Sequence, residues 1–410
     1  MTDGGSVTDA GSGTGRRYAL VAGGGTAGHL QPALAIAEAL VARGHDRRTI
    51  EFIGSERGQD AATLDGRGYP VTLLPGRGIV RSLAPRDVVR NVRSACGLCV
   101  AAARAIRVVG ARRPQVVVAV GGYASVAGAV GAIVHRVPLV LVNVDAVPGA
   151  ANRLLGRFAR ASAVGWAGNP LPRSVVTGTP VRPEIAGVDR GGAARDAARD
   201  ELGLAADRSV VVVFGGSLGA RRINRAVDGA AERWSDRSDL AIYHIVGRRD
   251  WAGYCADPAV ERIPALGGAG DRDAPAGLEL VRVAYEDRMA TAYAAADLVV
   301  CRAGAMTVAE LSVAGVPAVL VPLPGAPGDH QTANARVLER AGAAVVLPDG
   351  DCTPVGLTGV VEALLADPGR LDAMGRAAAV LGRPDAADAG ARVVEENALP
   401  GSGGRAGTAS

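Results

Sequence analysis

The chain has 410 residues, 48% of them hydrophobic and only 3% aromatic, with 57 glycines. That length predicts two or three domains with ample core, and an Ala/Val/Leu-rich text fits buried parallel strands covered by helices. A net charge of +4, from 45 basic residues that are all arginine against 41 acidic ones, gives no argument for a nucleic-acid partner. Five scattered cysteines (96, 99, 255, 301, 352) argue against a disulfide framework. Cys96 and Cys99 form C-x-x-C inside an alanine-rich helical stretch, which reads as two buried apolar cysteines rather than a zinc or redox pair. The amino terminus lacks the apolar core of a signal peptide, and the apolar stretch 116–144 is broken by Gly121-Gly122, His135, Arg136 and Pro138. A soluble cytoplasmic protein, or one peripheral to a membrane, is expected.

In chain order, residues 1–16 read as a disordered low-complexity tail. Tyr18–Ala22 is a short strand, followed by Gly23-Gly24-Gly25-Thr26-Ala27-Gly28-His29 and a helix with Pro32 near its start. A glycine turn between strand and helix lets a ligand approach the backbone closely. It is not a P-loop, and the next strand, Thr49–Ile53, ends in Gly54-Ser55, so no acidic residue completes a dinucleotide fingerprint. His29, at the mouth of this turn, has the pKa range of a base for an attacking hydroxyl; a helix-capping role is the equal alternative. His45 and His135 read as structural. The stretch 77–93 interleaves Arg77, Arg81, Arg86, Arg90 and Arg93 with apolar residues, suited to an anionic membrane surface or to an ordinary solvated face. Val116–Val120 feeds Gly121-Gly122-Tyr123, and Leu139–Val142 leads to Asn143-Val144-Asp145. These make a first α/β domain, residues 17–177.

The proline- and glycine-punctuated run 177–183, carrying Arg182, reads as the crossing to a second domain, residues 178–368. Val210–Phe214 again enters a glycine turn, Gly215-Gly216-Ser217-Leu218-Gly219-Ala220, and Ala241–Val246 and Leu278–Val283 are further strands. The segment 257–277 reads as an exposed loop. The most informative stretch is 296–335. A strand at Leu298–Val300 ends in Arg302-Ala303-Gly304-Ala305, a helix starts at about Met306, and a second strand at 318–322 opens into a loop with Asp329, His330, Gln331 and Asn334. In such a βαβ unit the loops lie at the carboxyl ends of the strands, and the helix start can hold a phosphate. Glu310, one turn in, suits two vicinal ribose hydroxyls, and Gln331 suits a sugar. A nucleotide-sugar site and an ordinary βαβ unit with a solvated loop are equal readings of these residues alone.

Taken together, GGGTAGHLQPALAIAEAL (23–40), VGGYASVAGAV (120–130), DAVPGAANRLLGR (145–157), TGTPVRPEI (177–185), VFGGSLGARRIN (213–224), RAGAMTVAEL (302–311) and DHQTANA (329–335) resemble the MurG family of N-acetylglucosaminyltransferases. The likeness runs from Tyr18 to about Arg383. It implies a GT-B fold, two Rossmann-like domains with parallel sheets facing across a cleft, and a helix at about 369–396 returning to the first domain before a disordered tail, 397–410. It further implies an inverting transfer from UDP-N-acetylglucosamine to a lipid-linked muramyl-pentapeptide, without cofactor or catalytic metal. The enzyme would sit on the cytoplasmic face of the membrane, touching it through the 77–93 stripe. By position, His29 matches the histidine considered as general base or active-site organiser; Gly25, Thr26, Ala27, Gly28, Gly121, Gly122 and Tyr123 match acceptor-side loops. Arg182, Ser217, Ala305, Met306, Thr307, Glu310 and Gln331 match donor contacts.

Four departures stand out. Ala27 places a Cβ where many members have glycine, Val142-Asn143-Val144-Asp145 replaces His-Glu-Gln-Asn, Leu218 replaces a glutamine, and 324–328 lacks a histidine. Asp145, an acceptor only when ionised, is the alternative base. An altered acceptor side also fits transfer to a different acceptor such as a specialised metabolite. A sugar-nucleotide epimerase or a non-catalytic nucleotide-sugar sensor shares the architecture, but the epimerase needs more carboxylates and the sensor leaves His29 with Glu310 unexplained.

Overall fold

The computed structural model describes residues 16–24, 27–56, 60–75, 85–216, 220–254, 260–263 and 277–400. They form two compact units: residues up to 143, with 148–177 and the chain from 387 onward, and residues 144–147 with 178–386.

In the first unit the chain runs β1 (Ala19–Gly23), α1 (Ala27–Ala42), β2 (Ile50–Ser55), α2 (Asp60–Leu64), β3 (Val71–Leu74), α3 (Pro85–Arg112), β4 (Val116–Gly121), α4 (Gly122–Val134), β5 (Leu139–Asn143), α5 (Ala150–Leu155), β6 (Ala161–Val164) and β7 (Ser174–Val176). In the second it runs α6 (Pro183–Ala186), α7 (Gly192–Leu202), β8 (Ser209–Phe214), α8 (Arg221–Arg233), β9 (Leu240–Ile245), β10 (Val260–Ile263), β11 (Glu279–Val283), α9 (Met289–Ala295), β12 (Leu298–Cys301), α10 (Ala305–Ala314), β13 (Ala318–Leu320), α11 (His330–Arg340), β14 (Ala344–Val346), α12 (Pro354–Leu365) and α13 (Pro368–Leu381). Helix α14 (Ala386–Asn397) follows, and from residue 387 it belongs to the first unit.

Each unit is a seven-stranded doubly wound sheet. The orders are β3-β2-β1-β4-β5-β6-β7 and β10-β11-β9-β8-β12-β13-β14, parallel except for β10 against β11. The strands of the sheet centres are continuous apolar runs, such as VVVAVG in β4 and VVVVF in β8, because helices cover both faces. Each fully buried Val, Leu or Ile side chain contributes about 1.5–3 kcal/mol of transfer free energy. The direction of winding reverses between β1 and β4 in one sheet and between β8 and β12 in the other. Loops at the carboxyl ends of the strands open a ligand crevice at such switch points.

The structure corrects the sequence reading at several places. Strands β3, β6 and β7 were not foreseen: ASAV and SVV are too short and too plain to stand out. Strand β10 lies inside 257–277, read above as a loop. The segment 369–396 is two helices, because Gly382-Arg383-Pro384 interrupts it: Pro384 has no N–H and holds the preceding residue out of the helical region. Helix α13 stays with the second unit, while α14 reaches the first through Arg43, which pairs with Glu395 (2.7 Å) and Asp388 (2.9 Å). Residues 398–400 are ordered, with the Leu399 N–H donating to the Gln115 carbonyl at 2.9 Å. Residues 144–147, placed by sequence in the first domain, pack in the second unit. Cys99 is exposed, whereas Cys301 and Cys352 are buried. His45 stacks on Tyr18 at 3.7 Å and His135 bonds the Ile106 carbonyl, so both are structural.

Candidate active site

At the first switch point the backbone itself is the main feature. Gly121 and Gly122 end β4 with φ of +118° and +78°, conformations that side chains with a Cβ rarely adopt. The His29 imidazole, in the first turn of α1, lies over them. A Cβ on Gly121 would stand 2.5 Å from its Cδ2 and 2.9 Å from Nε2, and one on Gly122 would stand 3.4 Å from Nδ1. Gly24 closes the group, its carbonyl oxygen occupying the space a Gly122 side chain would need. His29 is thus brought together with Gly28, Gly121 and Gly122. Tyr123 points elsewhere: its hydroxyl donates to the Pro75 carbonyl, so it offers this site its backbone. Gly25 and Thr26 lie outside the described residues, and Ala27 is placed as the first residue of α1.

At the second switch point, Gly304 leads into α10 with no side chain capping the helix. The N–H groups of Ala305, Met306 and Thr307 therefore have no intrahelical acceptor and carry the positive end of the helix dipole, a place for a phosphate. Glu310 follows on the same helix, with its side chain 13% exposed. The hydroxyl of Tyr293, itself fully buried, donates to Glu310 Oε2 at 2.9 Å, and Arg182 Nε stands 3.9 Å from Oε1. Burial holds the Glu310 carboxyl above the usual carboxylate range; Arg182 and the Tyr293 hydrogen bond pull it back, and Glu184 pushes it further up. The result is a carboxylate gripped on one oxygen and reachable from the helix start. Gln331, in the first turn of α11, accepts the Leu323 N–H on Oε1 at 2.9 Å, which fixes the direction of its amide. Ser217 lies outside the described residues.

Asp145 belongs to this second group. Its Oδ1 accepts from Asn334 Nδ2 at 2.9 Å, and Asn334 Oδ1 accepts the Ala146 N–H at 2.7 Å. The same Nδ2 lies 3.2 Å from the Ala303 carbonyl, so the fully buried Asn334 ties Asp145 to the turn that starts α10. The sequence places His330, Gln331 and Asn334 in a loop; the structure puts them in α11, with Asn334 turned inward. Three other residues were passed over. Tyr293 holds Glu310. Arg302 bonds the Val321 carbonyl (3.0 Å) and Asp349 (2.7 Å), fastening the ends of β12 and β13 together. His244, fully buried, contacts Asn224 at 3.0 Å, and Asn224 Nδ2 donates to the Val246 carbonyl. Burial first, then Arg282, lowers the His244 pKa to about 3, so it is a neutral anchor for α8 behind the Gly215-Gly216 turn. Among the described residues no three His, Cys, Asp or Glu side chains are grouped so as to hold a metal ion.

Residues 19–164 match the N-terminal domain of glycosyltransferase family 28, and residues 210–389 match its C-terminal domain. A UDP-N-acetylglucosamine--N-acetylmuramyl-(pentapeptide) pyrophosphoryl-undecaprenol N-acetylglucosamine transferase of Desulforudis audaxviator (strain MP104C) is 37% identical over 94% of this chain and 99% of its own length. The enzyme of the same name from Clavibacter michiganensis subsp. michiganensis (strain NCPPB 382) is 42% identical over 90% of this chain and 93% of its own. The chain belongs to the MurG family. The crystal structure of Acinetobacter baumannii MurG, 28% identical, covers 93% of this chain and 99% of that one with a TM-score of 0.70. The two doubly wound units are those of the GT-B fold. Membership also gives the glycine turns a context: β1–α1, β4–α4 and β12–α10 lie inside the matched domains, as does every described site residue except Arg182.

Proposed function

We infer that this chain is an inverting glycosyltransferase that moves N-acetylglucosamine from its UDP donor to undecaprenyl-pyrophosphoryl-N-acetylmuramyl-pentapeptide, as its full-length relatives are named for doing. The observation that carries the donor half of this reading is the conjunction on α10 of an uncapped helix start with the partly buried Glu310. The ribose diol donates to Glu310, while the diphosphate meets the N–H groups of 305–307, with Arg182 beside it; Ser217 is assigned to the donor only by its place in the family's motif. Gln331 reads the sugar through its amide.

The reaction is a single displacement. The acceptor hydroxyl oxygen forms its bond to the anomeric carbon as the bond to the UDP oxygen breaks, and UDP leaves with that electron pair. Charge on the departing diphosphate is met by the dipole of α10 and by Arg182. The hydroxyl proton goes to His29, whose ring rests on the Gly121–Gly122 turn, with Ala27, Gly28 and the Tyr123 backbone on the acceptor side; Gly25 and Thr26 are assigned there only by their place in the family's motif. Asp145, held by the Asn334 amide, is the weaker choice of base: its place is to orient the turn at Ala303.

On this reading attachment is peripheral, and no helix among the described residues is long and apolar enough to cross a membrane. Residues 77–84 of the basic stripe lie outside the described residues, as do the side chains of its residues 85–93. The first unit nevertheless shows a second surface of the same chemistry. Val134 and Phe158 are more than half exposed, and a hollow of about 330 Å³ is lined by Ile133, Phe158, Leu399, Arg136 and Arg160. Apolar side chains among arginines suit an anionic bilayer on the cytoplasmic face.

The test is transfer of labelled N-acetylglucosamine from its UDP donor to purified lipid-linked muramyl-pentapeptide, and robust transfer is expected. UDP binding without transfer would move the reading to a different acceptor, in keeping with the altered text at 142–145.

A further inference from the structure

Asp60 has no part in the reaction above, yet it is among the most enclosed carboxylates of the chain, 1% exposed at the start of α2. An acidic residue suits any helix start. That explains neither its burial nor the room made for it. Oδ2 accepts the Ser55 N–H at 2.8 Å, at the carboxyl end of β2. Two glycines surround it: a Cβ on Gly54 would stand 3.2 Å from Oδ2, and one on Gly24 would overlap the carboxylate outright. Gly24, at φ +153°, is where β1 gives way to the turn before α1, and its own carbonyl abuts Gly122, which with Gly121 lies beneath the His29 ring. A packed line therefore runs from Ser55 through Asp60, Gly24 and Gly122 to His29, within one unit. Enclosing a carboxylate is costly unless bonds repay it. This one is enclosed at the joint on which the histidine's turn rests.

We propose that Asp60 is a positioning residue: its carboxylate anchors the backbone at Gly24 and thereby, through Gly122, sets the place of the His29 imidazole. The catalytic consequence rests on His29 being the base; the positioning itself does not.

The experiment uses the full chain with isotopically labelled histidine, the His29 ring signal being assigned by its loss in His29→Ala. In Asp60→Asn and Asp60→Ala that ring signal should move while those of His45 and His135 stay. Turnover should fall about tenfold, with KM for UDP-N-acetylglucosamine within about twofold of the parent value. In a His29→Ala background the same Asp60 substitution should cost less than about threefold, because two residues acting through one group are not additive. An unmoved His29 signal overturns the proposal, and so does an equal loss in both backgrounds. If His29→Ala keeps its turnover, the base assignment falls and the ring signal alone decides whether Asp60 positions it. Asp60→Asn preserves volume and an acceptor for the Ser55 N–H, so a failure of Asp60→Ala to fold leaves the decision to that variant.

Discussion

The two switch points share a scaffold and differ in what they do with it. Both are glycine turns at the carboxyl edge of a doubly wound sheet. At β1/β4 the glycines are emptied of side chains so that one imidazole can lie flat on backbone. At β8/β12 the turn is followed by a helix carrying a carboxylate, itself held by a tyrosine hydroxyl and faced by an arginine. The first arrangement is steric and tolerates little change of shape. The second is electrostatic and should respond to charge and pH. On the proposed reading they serve acid–base work and donor binding, so their variants should separate cleanly.

The largest separation is expected from His29→Ala. Loss of a general base lowers turnover by about 10²–10⁴-fold, and donor affinity, a property of the other unit, should stay unchanged. Turnover measured under donor saturation, with UDP affinity by calorimetry, checks both. Should turnover survive while Asp145→Asn abolishes it, the comparison breaks and the base belongs to the second unit.

Glu310→Ala is the converse and the next in size. A hydrogen bond to a charged group contributes about 1.5–3 kcal/mol, so UDP affinity should fall by about ten- to a hundredfold while the His29 titration is unmoved. Unchanged donor affinity would sink the ribose assignment. The pH dependence sharpens this. Burial raises the Glu310 pKa, and only the ionised carboxylate accepts from both ribose hydroxyls, so donor affinity should weaken as pH falls through that raised pKa. Stability runs the other way. The folded state holds this proton more tightly than the unfolded chain, so the group's stabilising contribution is complete below the unfolded pKa and is lost as pH rises through the folded one. Glu310→Gln should flatten the pH dependence of donor affinity.

How much of this was legible in the sequence follows the same division. Glycine turns after β-branched runs, and the spacing from Gly304 to Glu310, are local features, so both switch points and the helix-borne acid stood in the text. What escaped depends on partners far away in the chain. Nothing local marks Tyr293, whose partner Glu310 lies 17 positions on. Nor does anything local mark Asp60, whose place shows only when Gly24 and Gly54 are seen to make way for it. Asp145 follows β5 in sequence but is held by Asn334, 189 positions away, and no periodicity announces that. The split between α13 and α14 was readable from Gly382-Arg383-Pro384; the return of α14 to Arg43 was not, because ion pairs leave no local pattern.

Gly121→Ala tests the steric half at a smaller scale. The new methyl would meet the His29 ring at 2.5 Å in a backbone conformation of φ +118°. Strain of that kind costs of order 1–3 kcal/mol, so the melting temperature should drop and turnover should fall about tenfold, again with donor affinity intact. A variant as active as the parent would show that the ring's seat on Gly121 is not its working position.

The smallest expected effect tests the electrostatic half most finely. Tyr293→Phe removes only the hydroxyl that donates to Glu310 Oε2, with no change of shape in a fully buried position. That bond lowers the Glu310 pKa against the upward push of burial, so its loss should raise the pKa further. Near neutral pH, UDP affinity should weaken only about two- to tenfold, less than the full worth of a hydrogen bond to a charged group, because the hydroxyl bonds the carboxylate and not the donor. The informative quantity is the midpoint of affinity against pH, which should move upward relative to the parent and vanish when Glu310→Gln is added. A midpoint that stays put would mean Tyr293 merely packs beneath the site, leaving Arg182 as the group that keeps Glu310 charged.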